Sequence, residues 1–364
     1  MKFTSKHARL TWLRDACVLV RERALDEAEH PPASRLSQAS FVDAVRTALP
    51  TLEDMTRALD ALEGAGPVGE VALILPNNVE TAIVRPLFWA ILAGNKTRVK
   101  MPSVGAGFAE LVVAALVDAN PVLGSAITVW RFAREDARSL EAFVHGANAV
   151  HVFGRDETVR ALATHVAPER LVSHGTGLGI AAVTPSVDAG LAARIACDVA
   201  RHDQRGCLSP QLVLVENGDD QAALAWAEAL HAALTQLDSA MPRGAMSRAE
   251  AQAERVWRDV AQATGELFAT TTHAVSAEGA QAPRDCPGLR NIAVHGLPRE
   301  RMDALLLALG PHLKCIGAVD AEAVVDLRAR FPNASDVVLV GAMQTPRFDA
   351  PMDGAPAHTG FALF

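Results

Sequence analysis

The sequence predicts an α/β protein made of two doubly wound units. Three observations carry this. Wholly apolar runs such as Val71-Ala-Leu-Ile-Leu75 and Leu212-Val-Leu-Val215 read as strands buried on both faces, the mark of a parallel sheet. Amphipathic runs of helical period separate them, which implies right-handed crossovers. A length of 364 residues, at about 150 per domain, favours two domains.

In chain order, residues 1–66 read as helices over Leu10–Asp26, Ser40–Leu49 and Leu52–Glu63, with a breaker at His30-Pro-Pro-Ala. Nothing in them suggests chemistry. From Val71 the period changes. Val71–Leu75 is a strand, Pro76-Asn-Asn-Val a turn, and Thr81–Ala93 a helix closed by Gly94-Asn95 as a C-cap. Thr97–Lys100, Ile127–Trp130, Ala149–Phe153 and Leu171–Ser173 continue as strands, with helices at Phe108–Ala119, Arg138–His145 and Thr158–His165 between them. Ligands of such sheets bind at the carboxyl ends of the strands. Those ends are Pro76–Asn78, Lys100–Ser103 and Gly154–Asp156, and no GxGxxG fingerprint occurs in this half.

The glycine-rich stretch His174–Gly177 separates the halves. Gly179–Val183 opens the second as a strand, and the helix Asp188–Arg201 leads to Cys207 and the strand Gln211–Glu216. Helices Gln221–Gln236 and Met246–Ala263 follow, then irregular strand over Leu267–Ala277 and a strand at Asn291–His295. The helix Arg299–Leu309, strand Leu313–Val319, helix Ala321–Phe331 and strand Val337–Gly341 complete the pattern. The expected domains are 1–173, 174–343 and a Pro/Gly-rich tail, 344–364.

Half the residues are hydrophobic and 21% charged, so a large core is available and disorder is not expected. The absence of Tyr reads as composition bias. A net charge of −8 argues against nucleic acid or an anionic membrane surface as partner. The five cysteines are odd in number and none is paired in CxxC spacing. That disfavours a disulfide framework and a zinc site and suits a reducing cytoplasm. The amino terminus shows no signal-peptide core, and polar residues or prolines interrupt the apolar runs near Val71 and Ile83–Ala93 before they reach membrane-spanning length.

Cys207 stands behind a glycine on a short linker between two rigid elements. A thiol so placed is held yet reachable, which is what a nucleophile needs. The plainer reading is a small apolar residue at the start of a strand. His202 reads as a solvated helix-end residue, where a cation favours the dipole. Asp353-Gly354 reads as a turn, and Cys315 as a core residue of a strand.

Two motifs then carry a resemblance. Asp203-Gln-Arg-Gly-Cys207-Leu-Ser-Pro-Gln211 resembles a Gln-x-x-Cys-x-x-Pro-Gln nucleophile segment. Leu75-Pro-Asn-Asn-Val79, the helix to Ala93-Gly94-Asn95, and Val99-Lys100-Met-Pro102-Ser103 are similar to an asparagine turn, Ala-Gly-Asn and Lys-Pro-Ser run in the same order. Both belong to the aldehyde dehydrogenase superfamily, and the nucleophile segment is closest to the acyl-CoA reductases of the bacterial bioluminescence type. The resemblance covers roughly residues 65–345. It implies an aldehyde-dehydrogenase-like fold, with the active site in the crevice between two α/β domains.

Residue by residue, the resemblance implies Cys207 as nucleophile and Asn78 as oxyanion donor beside the backbone N–H of Cys207, with Asn77 the alternative. It implies cofactor contacts at Lys100, Ser103 and Gly154. Val104 stands where NAD-preferring members often carry a glutamate, so a 2′-phosphate is not repelled and Arg98 and Lys100 can pair with it. NADPH is therefore expected, with NADH the alternative. The junction Leu171-Val-Ser-His174-Gly-Thr-Gly177 lacks the glutamate that activates water in hydrolytic members. That favours reduction of an acyl thioester, from acyl-CoA or an acyl carrier, over release of free acid. His174 and His202 are candidates to lower the thiol pKa, and no metal is expected.

Competing readings are a catalytically silent subunit of a multienzyme complex and a non-acylating aldehyde dehydrogenase. An adenylating ligase would need a Pro-Lys-Gly loop, and Ser173-His-Gly-Thr-Gly-Leu-Gly lacks the lysine. Acyl chain length stays open, as does a homo-oligomeric state.

Overall fold

The computed structural model describes residues 5–26, 34–279, 283–284 and 286–364; the expected breaker at 30–33 lies outside them. The chain divides into two compact units. The first comprises residues up to Ser34, Ala44–Thr176 and Arg347–Phe364; the second comprises Arg35–Asp43 and Gly177–Pro346.

Helices α1 (Lys6–Arg21), α2 (Gln38–Ala48) and α3 (Leu52–Asp60) precede the first sheet. A π-helical turn, Glu22–Asp26, extends α1. Thr51 starts α3 with a capping box, accepting from the Asp54 N–H while Asp54 accepts from Thr51. After β1 (Gly66–Pro67) come β2 (Glu70–Ile74), α4 (Val84–Ala93), β3 (Lys96–Lys100), α5 (Gly107–Ala119), α6 (Pro121–Gly124), β4 (Ile127–Trp130), α7 (Ala137–Val144), β5 (Ala149–Phe153), α8 (Asp156–Leu162) and β6 (Leu171–His174). Strands β2–β6 form a parallel sheet in the order β4-β3-β2-β5-β6. The chain winds outward from β2 in one direction and from β5 in the other. The switch point therefore lies between β2 and β5, where an open sheet leaves a crevice for a ligand.

Local chemistry explains the stop after α4. Gly94 takes φ +97°, a left-handed cap that a side chain would strain. The guanidinium of buried Arg9 lies against it and donates to the Leu92 carbonyl at 2.9 Å. Asn95 accepts from the Gly69 N–H at 3.0 Å and donates to the Ala90 and Phe361 carbonyls. The Ala-Gly-Asn run is thus a helix stop that also fastens the carboxyl-terminal segment.

The second unit contains β7 (Leu178–Val183), α9 (Ala189–Ala200), β8 (Pro210–Glu216), α10 (Asp220–Leu237), α11 (Arg248–Thr264), β9 (Glu266–Ala269), β10 (Ala274–Glu278), β11 (Asn291–Leu297), α12 (Arg299–Leu309), β12 (Leu313–Ala318), α13 (Ala321–Arg330) and β13 (Val337–Leu339). Its seven-stranded sheet runs β13-β12-β7-β8-β11-β10-β9. Every neighbouring pair is parallel except β9 with β10. The irregular strand expected over Leu267–Ala277 is that antiparallel pair. Two apolar layers bury its faces, one around Val213, Val215, Ile195 and Trp226, the other around Leu212, Leu214, Ile316 and Trp257.

The tail returns to the first unit. Its β14 (Ala362–Leu363) pairs antiparallel with β1. Trp89 stacks on Phe348 at 5.4 Å and donates to its carbonyl at 3.0 Å.

Candidate active site

Cys207 lies in the second unit, on the turn Gly206–Ser209, where the Ser209 N–H donates to the Gly206 carbonyl at 3.1 Å. It is the one exposed cysteine among the described residues; Cys17 and Cys315 are buried and Cys197 and Cys286 half-buried. The turn sits at the amino end of β8, pressed onto β7. A Cβ on Gly179 would come within 2.3 Å of the Leu208 carbonyl oxygen and 2.8 Å of that of Ser209, so only glycine fits. A Cβ on Gly206 would come within 2.6 Å of Gln344 Oε1.

Backbone into the turn is unusual. A short 3₁₀ segment, Arg201–Gln204, follows α9, and within it His202, Asp203 and Gln204 have φ of 52°, 49° and 58°. Three consecutive non-glycine residues in this region cost on the order of 1 kcal/mol or more each. Gln204 Nε2 bridges to the Pro210 carbonyl at 2.8 Å. His202 is not solvated as expected. It is buried in the kink, and burial holds its pKa down at about 4, so it is neutral at pH 7. As a neutral ring it supplies no fixed positive charge.

Gln344 belongs to a loop fastened by buried Asp198, whose carboxylate accepts the N–H groups of Gly341 and Met343. Burial pushes the Asp198 pKa up to about 6, although those N–H groups and Arg201 pull the other way. Behind the turn, the buried polar atoms Ser209 Oγ and Gln344 Nε2 have no partner among the described residues. Sequence reasoning passed over Gln344. No local pattern marks a glutamine 138 residues from the glycine it adjoins.

The remaining expected residues lie in the first unit. Ile74 pairs with Lys100 on one side and Val152 on the other, so β2, β3 and β5 end together. Exposed Asn77 and Asn78 follow β2, Lys100 ends β3, exposed Ser103 follows it, and Gly154 follows β5. The asparagines and Gly154 thus flank the switch point. Lys100 is half-buried, which lowers its pKa, and its ammonium lies 5.1 Å from the Phe132 ring centroid. A Cβ on Gly154 would come within 3.3 Å of the Thr158 side chain.

Arg98 is differently engaged. Its Nε donates to Glu70 at 2.7 Å, and Nη1 reaches the Ala142, Phe143 and His145 carbonyls at the end of α7. It braces sheet to helix.

His174 ends β6 in a buried polar chain. Its Nδ1 lies 2.5 Å from Asp353 Oδ2, and its Nε2 lies 3.4 Å from His151 Nδ1. Phe153 and His151 stack on it, and Phe361 stacks on His151. Burial holds His151 down at about 3. Both ring nitrogens of His174 are thus engaged within the first unit, and Asp353 does more than turn the chain.

A family model described as acyl-CoA reductase (LuxC) matches residues 44–361. No curated protein matches the sequence. Among solved structures, a glyceraldehyde-3-phosphate dehydrogenase from Methanocaldococcus jannaschii complexed with NADP is similar at TM-score 0.75 and 13% identity, over 100% of this chain and 89% of that one. A gamma-glutamyl-gamma-aminobutyraldehyde dehydrogenase from Burkholderia cenocepacia gives 0.75 and 16%, over 99% and 83%. Aldehyde dehydrogenase 21 from Physcomitrella patens, in complex with the reaction product succinate, gives 0.74 and 13%, over 99% and 85%. These identities speak to the fold alone, and the fold is that of aldehyde dehydrogenases.

Proposed function

Because the chain belongs to the acyl-CoA reductase (LuxC) family and is an oxidoreductase, we propose that it reduces an acyl thioester, fatty acyl-CoA in the first instance, to the aldehyde through a covalent thioester on Cys207. The observation that carries this reading is the exposure of that one thiol, on a turn whose backbone its surroundings fix.

The Cys207 thiolate attacks the thioester carbonyl. The C–S bond to coenzyme A breaks, the coenzyme leaves as thiol, and an acyl-cysteine remains. The acyl-cysteine carbonyl is then the hydride acceptor, and a reduced nicotinamide, when bound, would supply the hydride that gives the hemithioacetal. Collapse of the hemithioacetal releases the aldehyde and returns the sulfur of Cys207. Each tetrahedral species carries an oxyanion, and a donor such as Asn78 contributes about 3 kcal/mol there. With no glutamate between Leu171 and Gly177 to activate water, the acyl group is kept for reduction.

Exposed Asn77, Asn78 and Ser103 and the half-buried Lys100 place donors at the carboxyl end of the first sheet, and Gly154 follows β5 at the same end. These residues fit a dinucleotide. The first turn of α8 carries Asp156 and Glu157, which disfavours seating a diphosphate on that helix. Lys100 is the cation for a 2′-phosphate, since Arg98 is spent on the α7 carbonyls, and NADPH remains the proposed cofactor. A panel of acyl thioesters with NADPH and NADH, followed by near-ultraviolet absorbance, tests the reading. Retained turnover in folded Cys207→Ala protein would reject it.

A further inference from the structure

Strained backbone persists only where its surroundings over-determine it. Opposite His202–Gln204 lies a second left-handed run, Gly288, Leu289 and Arg290, with φ of 73°, 59° and 64°. The two runs touch. A Cβ on Gly288 would come within 2.9 Å of the Gln204 carbonyl oxygen, and the Leu289 N–H donates to the Asp203 carbonyl at 3.1 Å.

A charge pair with almost no exposure joins them, Asp203 at 0% and Arg290 at 1%. Arg290 Nε donates to Asp203 Oδ1 at 3.0 Å, and Nη2 lies 2.8 Å from the same oxygen. Oδ2 of Asp203 accepts Arg205 Nη1 at 3.1 Å and the Gly244 N–H at 3.0 Å. The other Arg290 donors go to the Met241, Pro242 and Ala200 carbonyls and to Asp238. Arg205 ties the same carboxylate to Glu250 at 3.1 Å and to the Ala245 carbonyl at 2.8 Å.

A buried ion pair is a poor route to stability, because desolvation offsets most of the attraction; its better-attested use is to select one arrangement among several. The arrangement selected here is the backbone that leads through Gly206 into Cys207. We propose that Asp203 and Arg290 are positioning residues: they hold the left-handed turn so that the Cys207 sulfur meets the acyl carbonyl at one fixed angle. Neither touches substrate. The inference rests on Cys207 as nucleophile.

The test compares the parent with Asp203→Asn and Arg290→Lys. Arg290→Lys keeps the charge but loses the planar fork. Two rates are read: coenzyme A release from a saturating acyl-CoA without reduced cofactor, and alkylation of Cys207 by iodoacetamide, quantified by mass spectrometry. The expected result is acylation slowed at least tenfold in both variants, alkylation within about threefold of parent, and cofactor KM unchanged. Positional error of about 1 Å costs on the order of 10²-fold in a reaction that needs orientation. Acylation within twofold of parent in folded Arg290→Lys overturns the proposal, as does an equal fall in both rates. Should Asp203→Asn fail to fold, Arg290→Lys decides alone. Should the parent form no acyl-enzyme, the functional reading falls. The positioning role, which rests on that reading, falls with it.

Discussion

Gly179→Ala is the most exacting perturbation of the turn, because it adds one methyl group where only backbone can yield. The new Cβ would sit 2.3 Å from the Leu208 carbonyl oxygen and 2.8 Å from that of Ser209. Ordinary carbon–oxygen contact needs about 3.3 Å. Either the turn retreats from β7 by roughly 1 Å or β7 shifts beneath it. β7 lies between β12 and β8, and Ile180 and Ala181 are fully buried, so the strand resists. The turn moves, and Cys207 moves with it. Overpacking of this kind costs about 1–3 kcal/mol of stability. A 1 Å displacement of a nucleophile slows acylation by about 10²-fold. The assay is single-turnover coenzyme A release from acyl-CoA, beside thermal unfolding. Gly66→Ala is the silent control, since its Cβ would meet nothing within 4 Å and Gly66 is absent from the left-handed residues. Acylation within threefold of parent in folded Gly179→Ala protein would refute the link between the glycine and the thiol's position.

Other outcomes follow from the same geometry. Cys207→Ala should abolish NADPH-dependent loss of acyl-CoA, and Asn78→Ala should slow it by roughly 10²-fold; an unchanged rate with a tenfold loss in Asn77→Ala would transfer the role to the neighbour. Lys100→Ala should raise the cofactor KM with little change in kcat, as expected for uniform binding, and a fall in kcat alone would count against that placement. Stability should fall on acidification. His151 and His202 are held neutral by burial at about 3 and about 4, below the unfolded value of about 6.5, so their contribution is complete above pH 6.5 and lost as pH falls. Asp198, pushed up to about 6, acts oppositely and loses stability as pH rises from about 4 to 6. Burial also lowers His231, His273 and His295, so the histidines outweigh Asp198 and stability falls as pH drops below about 6.5. Thermal unfolding of the parent and of His151→Phe reads it: the variant's slope should be shallower by up to about 1.4 kcal/mol per pH unit, and an undiminished slope would show that other groups set it.

Signals confined to one segment were legible in the sequence. The strand at Val71, the helix stop at Gly94-Asn95 and the helix Arg299–Leu309 declared themselves because period, cap and turn chemistry act over a few residues. Candidate site residues were legible where they end a strand. Parallel register brings the ends of β2, β3 and β5 together, so Asn78, Lys100 and Gly154 share one end of a sheet once the strands are found. His202 misled because a helix-end histidine is ordinarily solvated, whereas here the chain kinks left-handed and folds the ring inward. That kink has no local signature: none of His202, Asp203 or Gln204 is a glycine. Its cause lies 87 residues away at Arg290, and its fit depends on Gly179 and Gln344.

The same distances explain how a turn of unfavourable backbone can be tolerated beside an exposed thiol. Three left-handed residues cost on the order of 3 kcal/mol or more in isolation, a large fraction of a domain's net stability of about 5–15 kcal/mol. The offset comes from beyond the turn, which polar contacts tie to its surroundings. It comes from the two apolar layers on the sheet's faces, which fix β7, β8 and β11 and hence the places from which Gly179, Pro210 and Asn291 approach. Asn291 donates to the Gly288 and Leu289 carbonyls and to Glu254, carrying the rigidity of β11 into the second left-handed run. The core thus determines the ends of three strands, hydrogen bonds transmit that to two strained loops, and one ion pair locks the loops to each other. Conservative volume changes in the apolar layers should therefore lower stability without displacing Cys207, whereas the one methyl added in Gly179→Ala should displace it.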